Sequence, residues 1–427
     1  MKKNFFNKSI IFVLGDVLNK AVPFLLLPIL TRYLSPSDYG LIASFMILIP
    51  VFGIILGFGS ESSIFSNYFR MDKNNLKIFI GNVLYLVAFS FILLVLVFFL
   101  LISENETLLG FNRNWLFLAL ILSLSQLITT MNLRLWIAEE KPMIYSIYQV
   151  LQTFLSAILS LVLVIYFNMK WEGYLLGYSV SIFFFSLISF IIMFKRGYLK
   201  FSLNVSYIKD ALKFGLPLVP NAAANWMKSS SDRVIILYII GSYYAGIYSV
   251  AFQFAMVITI IATGFNKAWS SFLFKKLSSS PTYQEKIQLV KYIYIYFVVI
   301  LIFATIYSEI AYYFIPYILG DSFIDSRDYI LFLSLSFAFQ GMYFMVTSFI
   351  FYEKKTGRLS LVTLSTSLLH LVLLIIMIFF NGIDGVVQAI LASYIIIFIA
   401  AWRLSHIIYP MPWFSFTQKN NLDNING

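Results

Sequence analysis

The chain lacks cysteine, and its 427 residues include only two histidines, His370 and His406. Without cysteine it cannot form a disulfide bond, a thiolate metal site or a cysteine nucleophile. Two isolated histidines also argue against a histidine-based metal centre. Charged residues are scarce, at 11% of the chain, whereas hydrophobic residues make up 60%. This balance argues against a soluble protein of this length.

Motifs that mark common enzyme sites are missing as well. There is no Walker A loop, so the chain is not expected to hydrolyse ATP itself, and neither GxSxG nor HExxH occurs. The segments between apolar runs are too short to fold as a separate catalytic domain. We therefore predict no catalytic residue, no cofactor and no metal.

What the chain does contain is a series of apolar runs, each long enough to cross a hydrocarbon core of ~30 Å as a helix. The first run continues past Leu30 without a small-residue cleavage site, so we expect a retained span and not a signal peptide. We predict an all-α polytopic membrane protein with about twelve transmembrane helices. The predicted spans are about 9–33, 39–65, 77–102, 115–138, 142–167, 172–194, 211–240, 245–270, 289–317, 328–352, 359–380 and 385–409.

The basic residues predict the orientation of these spans. The formal net charge is +11, which in a soluble protein would suggest nucleic-acid binding, but here the position of the charges matters more. If the N-terminus is cytoplasmic, 23 of the 30 Lys and Arg residues fall on the inside and four on the outside. This excess follows the positive-inside rule, so we predict that both termini are cytoplasmic. The remaining three, Lys20, Lys228 and Arg233, fall within the membrane.

An internal repeat relates the two halves. Residues 34–46 read LSPSDYGLIASFM and 240–252 read IGSYYAGIYSVAF, which aligns Gly40 with Gly246 and places both at the loop between the first two spans of a half. Six spans separate the copies, so both halves insert in the same orientation, as a parallel repeat. We predict two six-helix lobes related by a pseudo-two-fold axis, an N-terminal lobe over 1–200 and a C-terminal lobe over 201–427.

Two spans carry charge beside a pair of prolines. A charge at the bilayer centre costs ~2.5–3.5 kcal/mol on insertion scales, so such residues usually face a cavity. Matching interrupted spans in two halves point to the binding site of a transporter. The first span carries Asp16, Asn19, Lys20, Pro23 and Pro28, and the seventh carries Pro217, Pro220, Asn221, Asn225, Lys228, Asp232 and Arg233.

Helical spacing places the polar residues of each span on one face. We predict that both faces line an aqueous cavity and that the four prolines act as hinges. The i,i+4 pairs Asp16–Lys20 and Lys228–Asp232 leave an alternative, an internal ion pair that joins two helices. Milder polar stripes include Gln149 and Gln152; such residues can instead serve helix–helix contacts. Further charges at membrane depth or close to it are Arg134, Glu61 and Glu309.

Two segments carry a resemblance to a known family. Residues 30–41, LTRYLSPSDYGL, follow a proline-containing first span, and residues 214–255 read FGLPLVPNAAANWMKSSSDRVIILYIIGSYYAGIYSVAFQFA. The Pro-x-x-Pro opening, the Asp-Arg pair and the Gly-x-Tyr-Ser segment resemble the seventh and eighth helices of Wzx-type oligosaccharide flippases. These are polysaccharide biosynthesis proteins of the multidrug/oligosaccharidyl-lipid/polysaccharide (MOP) exporter superfamily. The resemblance extends over essentially the whole chain.

The resemblance implies transport of an undecaprenyl-diphosphate-linked oligosaccharide from the cytoplasmic to the outer leaflet of the bacterial inner membrane. Two lobes would alternate in access, and the product would feed O-antigen or capsule synthesis. Expected partners are the lipid bilayer, the polysaccharide polymerase and the chain-length machinery, with no nucleic acid. Alternatives are a small-molecule exporter of the same superfamily and a membrane polysaccharide polymerase or ligase.

The same resemblance suggests roles for the polar residues. The cationic part of the cavity would consist of Lys20, Lys228, Arg233 and Arg134. Its polar lining would include Asn19, Asn221, Asn225, Gln149 and Gln152. Candidates for ion coupling are Asp16, Asp232, Glu61 and Glu309. The first span departs from the family in offering a lysine and an aspartate but no arginine, and lysine lacks the bidentate fork that suits a diphosphate.

Overall fold

The fold, seen in a computed structural model, is almost entirely helical. The structure describes residues 2–103 and 107–413, apart from the side chains of 2–10, 12–14, 16, 20 and 108. Its helices are α1 (Lys2–Tyr33), α2 (Pro36–Gly57), α3 (Glu61–Tyr68), α4 (Lys73–Leu101), α5 (Arg113–Ala138), α6 (Pro142–Leu161), α7 (Lys170–Lys195), α8 (Val205–Gly215), α9 (Val219–Ile240), α10 (Ser242–Ser278), α11 (Tyr283–Ile318), α12 (Arg327–Tyr352) and α13 (Thr356–Ile408). The predicted all-α class is confirmed.

The helices follow the predicted spans closely. Within the described residues, nine helices are long and apolar enough to cross a membrane. One of them, α13, is 53 residues long and bends at Gly382, whose φ of 55° and ψ of −132° are not helical. Only a residue without a Cβ adopts this conformation readily. The two arms of α13 correspond to the last two predicted spans.

The starts of α2 and α10 show the repeat at the level of single residues. Ser35 precedes α2 and caps it: its Oγ accepts the N–H of Asp38 at 3.2 Å, while its own N–H donates to Asp38 Oδ2 at 3.0 Å. Such a capping box satisfies two backbone donors at a helix start. The aligned residue Gly241 precedes α10 with a φ of 97°. Both helices therefore begin one residue after the aligned position.

The seventh predicted span departs from expectation. The prediction is one span over about 211–240, bent at its proline pair, whereas in the structure α8 ends at Gly215, a 3₁₀ turn spans Leu216–Leu218, and α9 follows. Pro217 explains the break because proline lacks an N–H and disfavours the helical conformation of the preceding residue. By contrast, α1 continues through Pro23 and Pro28. The hinge roles of the four prolines stay a prediction.

A short β-hairpin connects α4 to α5. Strand β1 (Thr107–Leu108) pairs antiparallel with β2 (Phe111–Asn112). The two residues between them, Leu109 and Gly110, both have positive φ, as a type I′ turn requires. Phe111 is fully buried and meets Phe45 of α2 edge to face, with ring centroids 5.5 Å apart. The hairpin thereby packs against the N-terminal half of α2.

The segment after α7 is fixed to the first helices. Buried Asn82 on α4 donates its Nδ2 to the carbonyl oxygen of Ser202 and accepts the N–H of Asn204 at its Oδ1, both at 2.8 Å. At the end of α7, Arg196 forms an ion pair with Glu139, and Lys141 contacts the same carboxylate at 2.8 Å. These bonds hold the connection between α7 and α8 in one conformation.

The chain divides into two compact units. The first comprises Met1–Ser249 with Ile318–Ile324, and the second Val250–Tyr317 with Asp325–Gly427. A core of the first unit is formed by buried side chains that include Leu56, Ile64, Phe79, Val83, Met131 and Leu135. In the second unit, Thr259 donates to Gln340 at 3.0 Å, joining α10 to α12. A hydrogen bond of 3.0 Å between His370 Nδ1 and Ser393 Oγ joins the two arms of α13. The lobe boundary at residue 200 stays a prediction.

Candidate substrate cavities

Two adjoining cavities lie inside the first unit. The larger has a volume of about 410 Å³ and is lined by residues of α2, α3, α5, α7 and the start of α9. The smaller has a volume of about 250 Å³ and is lined by α1, α5, α6 and α7. Gln126 of α5 and Tyr178 of α7 line both. The two spaces therefore meet at these side chains.

The large cavity is mainly apolar but contains one carboxylate. Its walls include Met46, Ile49, Pro50, Ile54, Leu218 and Val219. Glu61 stands at the start of α3, where its Oε1 accepts a hydrogen bond from Ser62 Oγ at 3.2 Å. Its Oε2 is buried and has no hydrogen-bond partner among the described residues. Because an uncompensated buried carboxylate oxygen is costly, this atom has the capacity to accept a further hydrogen bond or to contact a cation.

The small cavity brings together polar side chains predicted from two separate spans. Gln149, Gln152, Thr153 and Ser156 of α6 follow the spacing i, i+3, i+4 and i+7, and all four line it. Asn19 of α1 faces them, and its Oδ1 accepts a hydrogen bond from Thr153 Oγ1. The structure thus places three predicted lining residues, Asn19, Gln149 and Gln152, around one space; their contact with substrate stays a prediction.

Close helix packing holds α6 against α7. A Cβ added at Gly177 of α7 would overlap the backbone of Ser160 on α6. Hydroxyl groups cross the same interface: Ser181 Oγ donates to the carbonyl oxygen of Gln152 at 2.8 Å, and Ser160 Oγ donates to that of Tyr174 at 2.9 Å. Small residues and hydroxyls of this kind drive helix association in membranes. They fix the direction in which the glutamines of α6 point.

Two amide atoms in this cavity lack a partner. Within the described part of the chain, Gln149 Oε1 and Gln152 Nε2 are buried without a hydrogen bond. Gln152 is only 8% exposed. A buried donor or acceptor left unsatisfied costs ~1–3 kcal/mol, so native proteins rarely keep one without a reason. One atom is an acceptor and the other a donor.

The predicted stripe on α9 changes from exposed to buried along the helix. Asn221 and Asn225 are exposed, Lys228 is half-buried, and Asp232 is buried at 2% exposure. Asp232 accepts a hydrogen bond from the buried hydroxyl of Tyr248 at 2.7 Å. Arg233 is half-buried and lies within electrostatic range of Tyr39, which also lies near Tyr174 of the small cavity. None of the predicted residues of this stripe is among the described lining of either cavity.

The remaining predicted residues are not brought together. The side chains of Asp16 and Lys20 lie outside the described part of the structure. Arg134 is half-buried on α5, one turn beyond Thr130, and is not among the described residues that line the cavities. Glu309 is exposed on α11 in the second unit. Their roles stay predictions.

Sequence reasoning missed the tyrosines of the site. Tyr174 and Tyr178 lie one turn apart on α7 and line the small cavity, while Tyr248 binds Asp232. Aromatic residues of membrane helices commonly contact lipid or form interfacial belts, so composition alone does not single out these three. The available signal was the i,i+4 spacing of Tyr174 and Tyr178 next to the small residue Gly177, which marks a packed helix face.

Comparison with known proteins identifies the family. A family model described as polysaccharide biosynthesis protein matches residues 5–275. A relative from Haemophilus influenzae, "Lsg locus putative protein 1", is 24% identical over 379 residues, which cover 88% of this chain and 91% of the relative.

Two solved structures share the fold. The inward-facing form of a multidrug resistance MATE family transporter of the MOP superfamily is 15% identical, with a TM-score of 0.66 over 91% of this chain and 94% of the other. The inward closed form of the lipid II flippase MurJ is 14% identical, with a TM-score of 0.70 over 93% of this chain and 87% of the other.

These similarities confirm the predicted all-α fold of the MOP type. The match over most of the chain shows that it belongs to the polysaccharide biosynthesis protein family, as a multi-pass membrane protein that shares its fold with these two solved structures.

Proposed function

We propose that the chain is a flippase that moves undecaprenyl-diphosphate-linked oligosaccharide from the cytoplasmic to the outer leaflet of the bacterial cell membrane. The observation that carries this proposal is the family match over residues 5–275, because that family serves polysaccharide biosynthesis. The shared fold of the lipid II flippase MurJ supports it, since that protein moves a lipid-linked substrate. The product would enter O-antigen or capsule synthesis, next to a polymerase and chain-length machinery.

The cations of α9 are suited to the diphosphate. Lys228 and Arg233 are both half-buried on this helix, and both stand within a predicted membrane span. Charge-assisted hydrogen bonds from lysine and arginine to phosphate oxygens are about twice as strong as neutral ones. Arg233 can bind two oxygens at once, whereas Lys228 acts as a point charge. Lys20 and Arg134 are proposed as further contacts.

The rest of the substrate would use different surroundings. A polar glycan cannot cross hydrocarbon unaided, so it needs side chains that replace water, as the predicted lining by Asn221 and Asn225 would do. The prenyl tail is apolar and would stay in the lipid. Alternating access would expose the site first to one side of the membrane and then to the other.

Net transport requires a driving force, and the sequence contains no Walker A loop for ATP hydrolysis. One source is an ion gradient, for which Glu61 is the best-placed carboxylate because one of its oxygens is buried in the large cavity without a partner in the described residues. Asp232 accepts a hydrogen bond from Tyr248, and Glu309 is exposed. Asp16 remains a candidate from the sequence. The second possible driving force is consumption of the translocated product on the outer side of the membrane.

A vesicle assay tests the proposed function directly. The purified full chain is reconstituted with undecaprenyl-diphosphate-linked oligosaccharide, and the fraction of glycan reached by an impermeant glycosidase is followed with time. We expect a rate of exposure that rises with the amount of protein and is absent from protein-free vesicles. No protein-dependent exposure, together with export of cationic dyes from the same vesicles, would favour the small-molecule exporter of the same superfamily.

A further inference from the structure

We propose that the small cavity is a subsite for one uncharged sugar ring of the lipid-linked oligosaccharide, bound by Gln149 and Gln152 and packed against Tyr178. This inference rests on the proposed function and deepens it. It assigns the sugar and the diphosphate to different parts of the first unit.

The described lining of the cavity carries no charge. The described residues around the cavity include four amides, two hydroxyls and two tyrosines, and none of them carries a formal charge: they are Asn19, Gln126, Gln149, Gln152, Thr153, Ser156, Tyr174 and Tyr178, with apolar residues between them. Among these described residues, a phosphate or uronate would find no cation and a metal ion would find no carboxylate. Burial of an unpaired charge is strongly unfavourable. The cavity is therefore suited to a neutral polar ligand.

The two unsatisfied amide atoms specify what that ligand must offer. Gln149 Oε1 needs a donor, and Gln152 Nε2 needs an acceptor. A hydroxyl group is both donor and acceptor. An acetamido group likewise has an N–H and a carbonyl oxygen. Sugar rings carry these two groups, so one ring can satisfy both glutamines at once.

The size of the cavity limits the ligand to a single ring. Its volume of about 250 Å³ equals that of about eight water molecules at ~30 Å³ each. Pockets that bind drug-sized molecules are larger, at roughly 300–1,000 Å³. A second ring would have to extend into the adjoining large cavity past Gln126 and Tyr178, which line both spaces.

The tyrosines add an apolar surface and a link to the cationic helix. Aromatic rings with a polar hydroxyl present one apolar face and one hydrogen-bonding end, which suits a sugar ring with its C–H and O–H groups. Tyr174 lies near Tyr39, which is within electrostatic range of Arg233. Tyr39 is therefore within electrostatic range both of the sugar subsite and of a cation proposed for the diphosphate.

Direct binding provides the first test. The full chain in nanodiscs is titrated with methyl β-glucoside, with methyl N-acetyl-β-glucosaminide and with methyl β-glucuronide, and binding is followed by saturation-transfer NMR. We expect a saturable signal from at least one neutral glycoside and none from the uronate. Gln149→Met and Gln152→Met should each weaken the binding by about 3- to 10-fold, the effect of losing one hydrogen bond.

Matched variants separate the subsite from general damage. Gln288→Met makes the same change at an exposed position of α11 and should leave binding unchanged. Ser156→Leu fills the cavity without removing an amide and should abolish binding. Thermal unfolding of each purified variant shows whether it has folded. If no neutral glycoside gives a saturable signal, or if folded Gln152→Met binds like the original chain, the subsite is overturned.

Translocation provides the second test and distinguishes this inference from the proposed function. In the vesicle assay, Gln149→Met and Gln152→Met should slow exposure of the oligosaccharide by about the same 3- to 10-fold. If the original chain and both variants translocate equally well, the flippase stands and the subsite fails. If nothing is translocated but glycoside binding still depends on Gln152, the sugar subsite stands and the flippase proposal fails.

Discussion

Gly40 on α2 and Gly246 on α10 pack against each other reciprocally. A Cβ added at Gly40 would overlap the carbonyl oxygen of Ser242, and one added at Gly246 would overlap the carbonyl oxygen of Pro36. The same shift of 206 positions relates Gly40 to Gly246 and Pro36 to Ser242. Gly40 thus meets Ser242, and its equivalent Gly246 meets Pro36, the equivalent of Ser242. Such a reciprocal contact is characteristic of a two-fold axis. This reciprocal contact is the local pattern that the predicted pseudo-two-fold repeat requires where α2 crosses α10.

Enlarging either glycine should separate the two helices. We expect Gly40→Val and Gly246→Val each to lower the free energy of unfolding by about 1–3 kcal/mol, because the added atoms meet backbone that cannot rotate away. Thermal unfolding in detergent measures the effect. Gly264 is a matched control on α10, since an added Cβ meets nothing within 4 Å there, and Gly264→Val should have a much smaller effect. Equal losses at all three positions would contradict the close crossing.

The hydrogen bond between Tyr248 and Asp232 should stabilise the start of α10 against α9. Tyr248→Phe removes the hydroxyl that Asp232 accepts at 2.7 Å and leaves a buried carboxylate with one interaction fewer. Loss of such a donor costs about 1–3 kcal/mol. The stability of the purified variant in detergent measures this loss. Tyr238→Phe, at a side chain that is 80% exposed, should cost almost nothing. A stable Tyr248→Phe variant would show that the bond contributes little.

The cations of α9 should affect transport more than folding. We expect Lys228→Ala and Arg233→Ala to reach the membrane at normal levels and to reduce surface glycan by about tenfold or more, because a hydrogen bond to a charged group contributes about 1.5–3 kcal/mol. Arg233→Lys should restore only part of the loss, since lysine is not bidentate. Surface glycan and membrane protein are measured in cells that lack the original gene. Lys291→Ala, at an exposed site on α11, is the control. Normal glycan in Lys228→Ala or Arg233→Ala would remove that residue from the site.

The fold was accessible from the sequence because its strongest signals are local. Apolar runs of membrane length predict helices wherever they occur, and the turn residues between them mark the ends. The break at Pro217 follows from the same local chemistry, since a proline pair in an apolar run marks an interruption, although it does not specify that the helix ends at Gly215. The repeat was visible because Gly40 and Gly246 keep their positions relative to the helix starts, Pro36 and Ser242.

The site was accessible only in part because it depends on which face of a helix remains uncovered. Gln149 and Gln152 could be grouped by helical spacing alone. Whether they meet a cavity depends on α1, α5 and α7, which no local pattern specifies. Tyr178 shows the same limit: its spacing marks a packed face, but only the arrangement of neighbouring helices makes that face the wall of two cavities. Tertiary packing supplies this information.

The orientation of the chain can be tested with single cysteines, because the sequence contains none. Asn168→Cys and Ser279→Cys place one thiol at an exposed residue in each of two connections, before α7 and after α10. The excess of lysine and arginine predicts that position 168 is outside and 279 inside. An impermeant maleimide should label position 168 in intact cells and position 279 only after lysis. The reverse pattern would show that the topology is inverted.

Ion coupling should depend on Glu61. One oxygen of its carboxylate is buried in the large cavity with no hydrogen-bond partner in the described part of the chain, so a proton or cation bound there would be lost when the site opens to the other side. We expect Glu61→Gln to keep the shape of the cavity but to make translocation insensitive to an imposed gradient. In vesicles, the original chain should move lipid-linked oligosaccharide several-fold faster with a proton or sodium gradient than after its collapse. Glu309→Gln, at an exposed carboxylate of the second unit, should respond like the original chain. If collapse of both gradients leaves the original chain equally fast, consumption of the product outside must drive transport, and Glu61 has no coupling role.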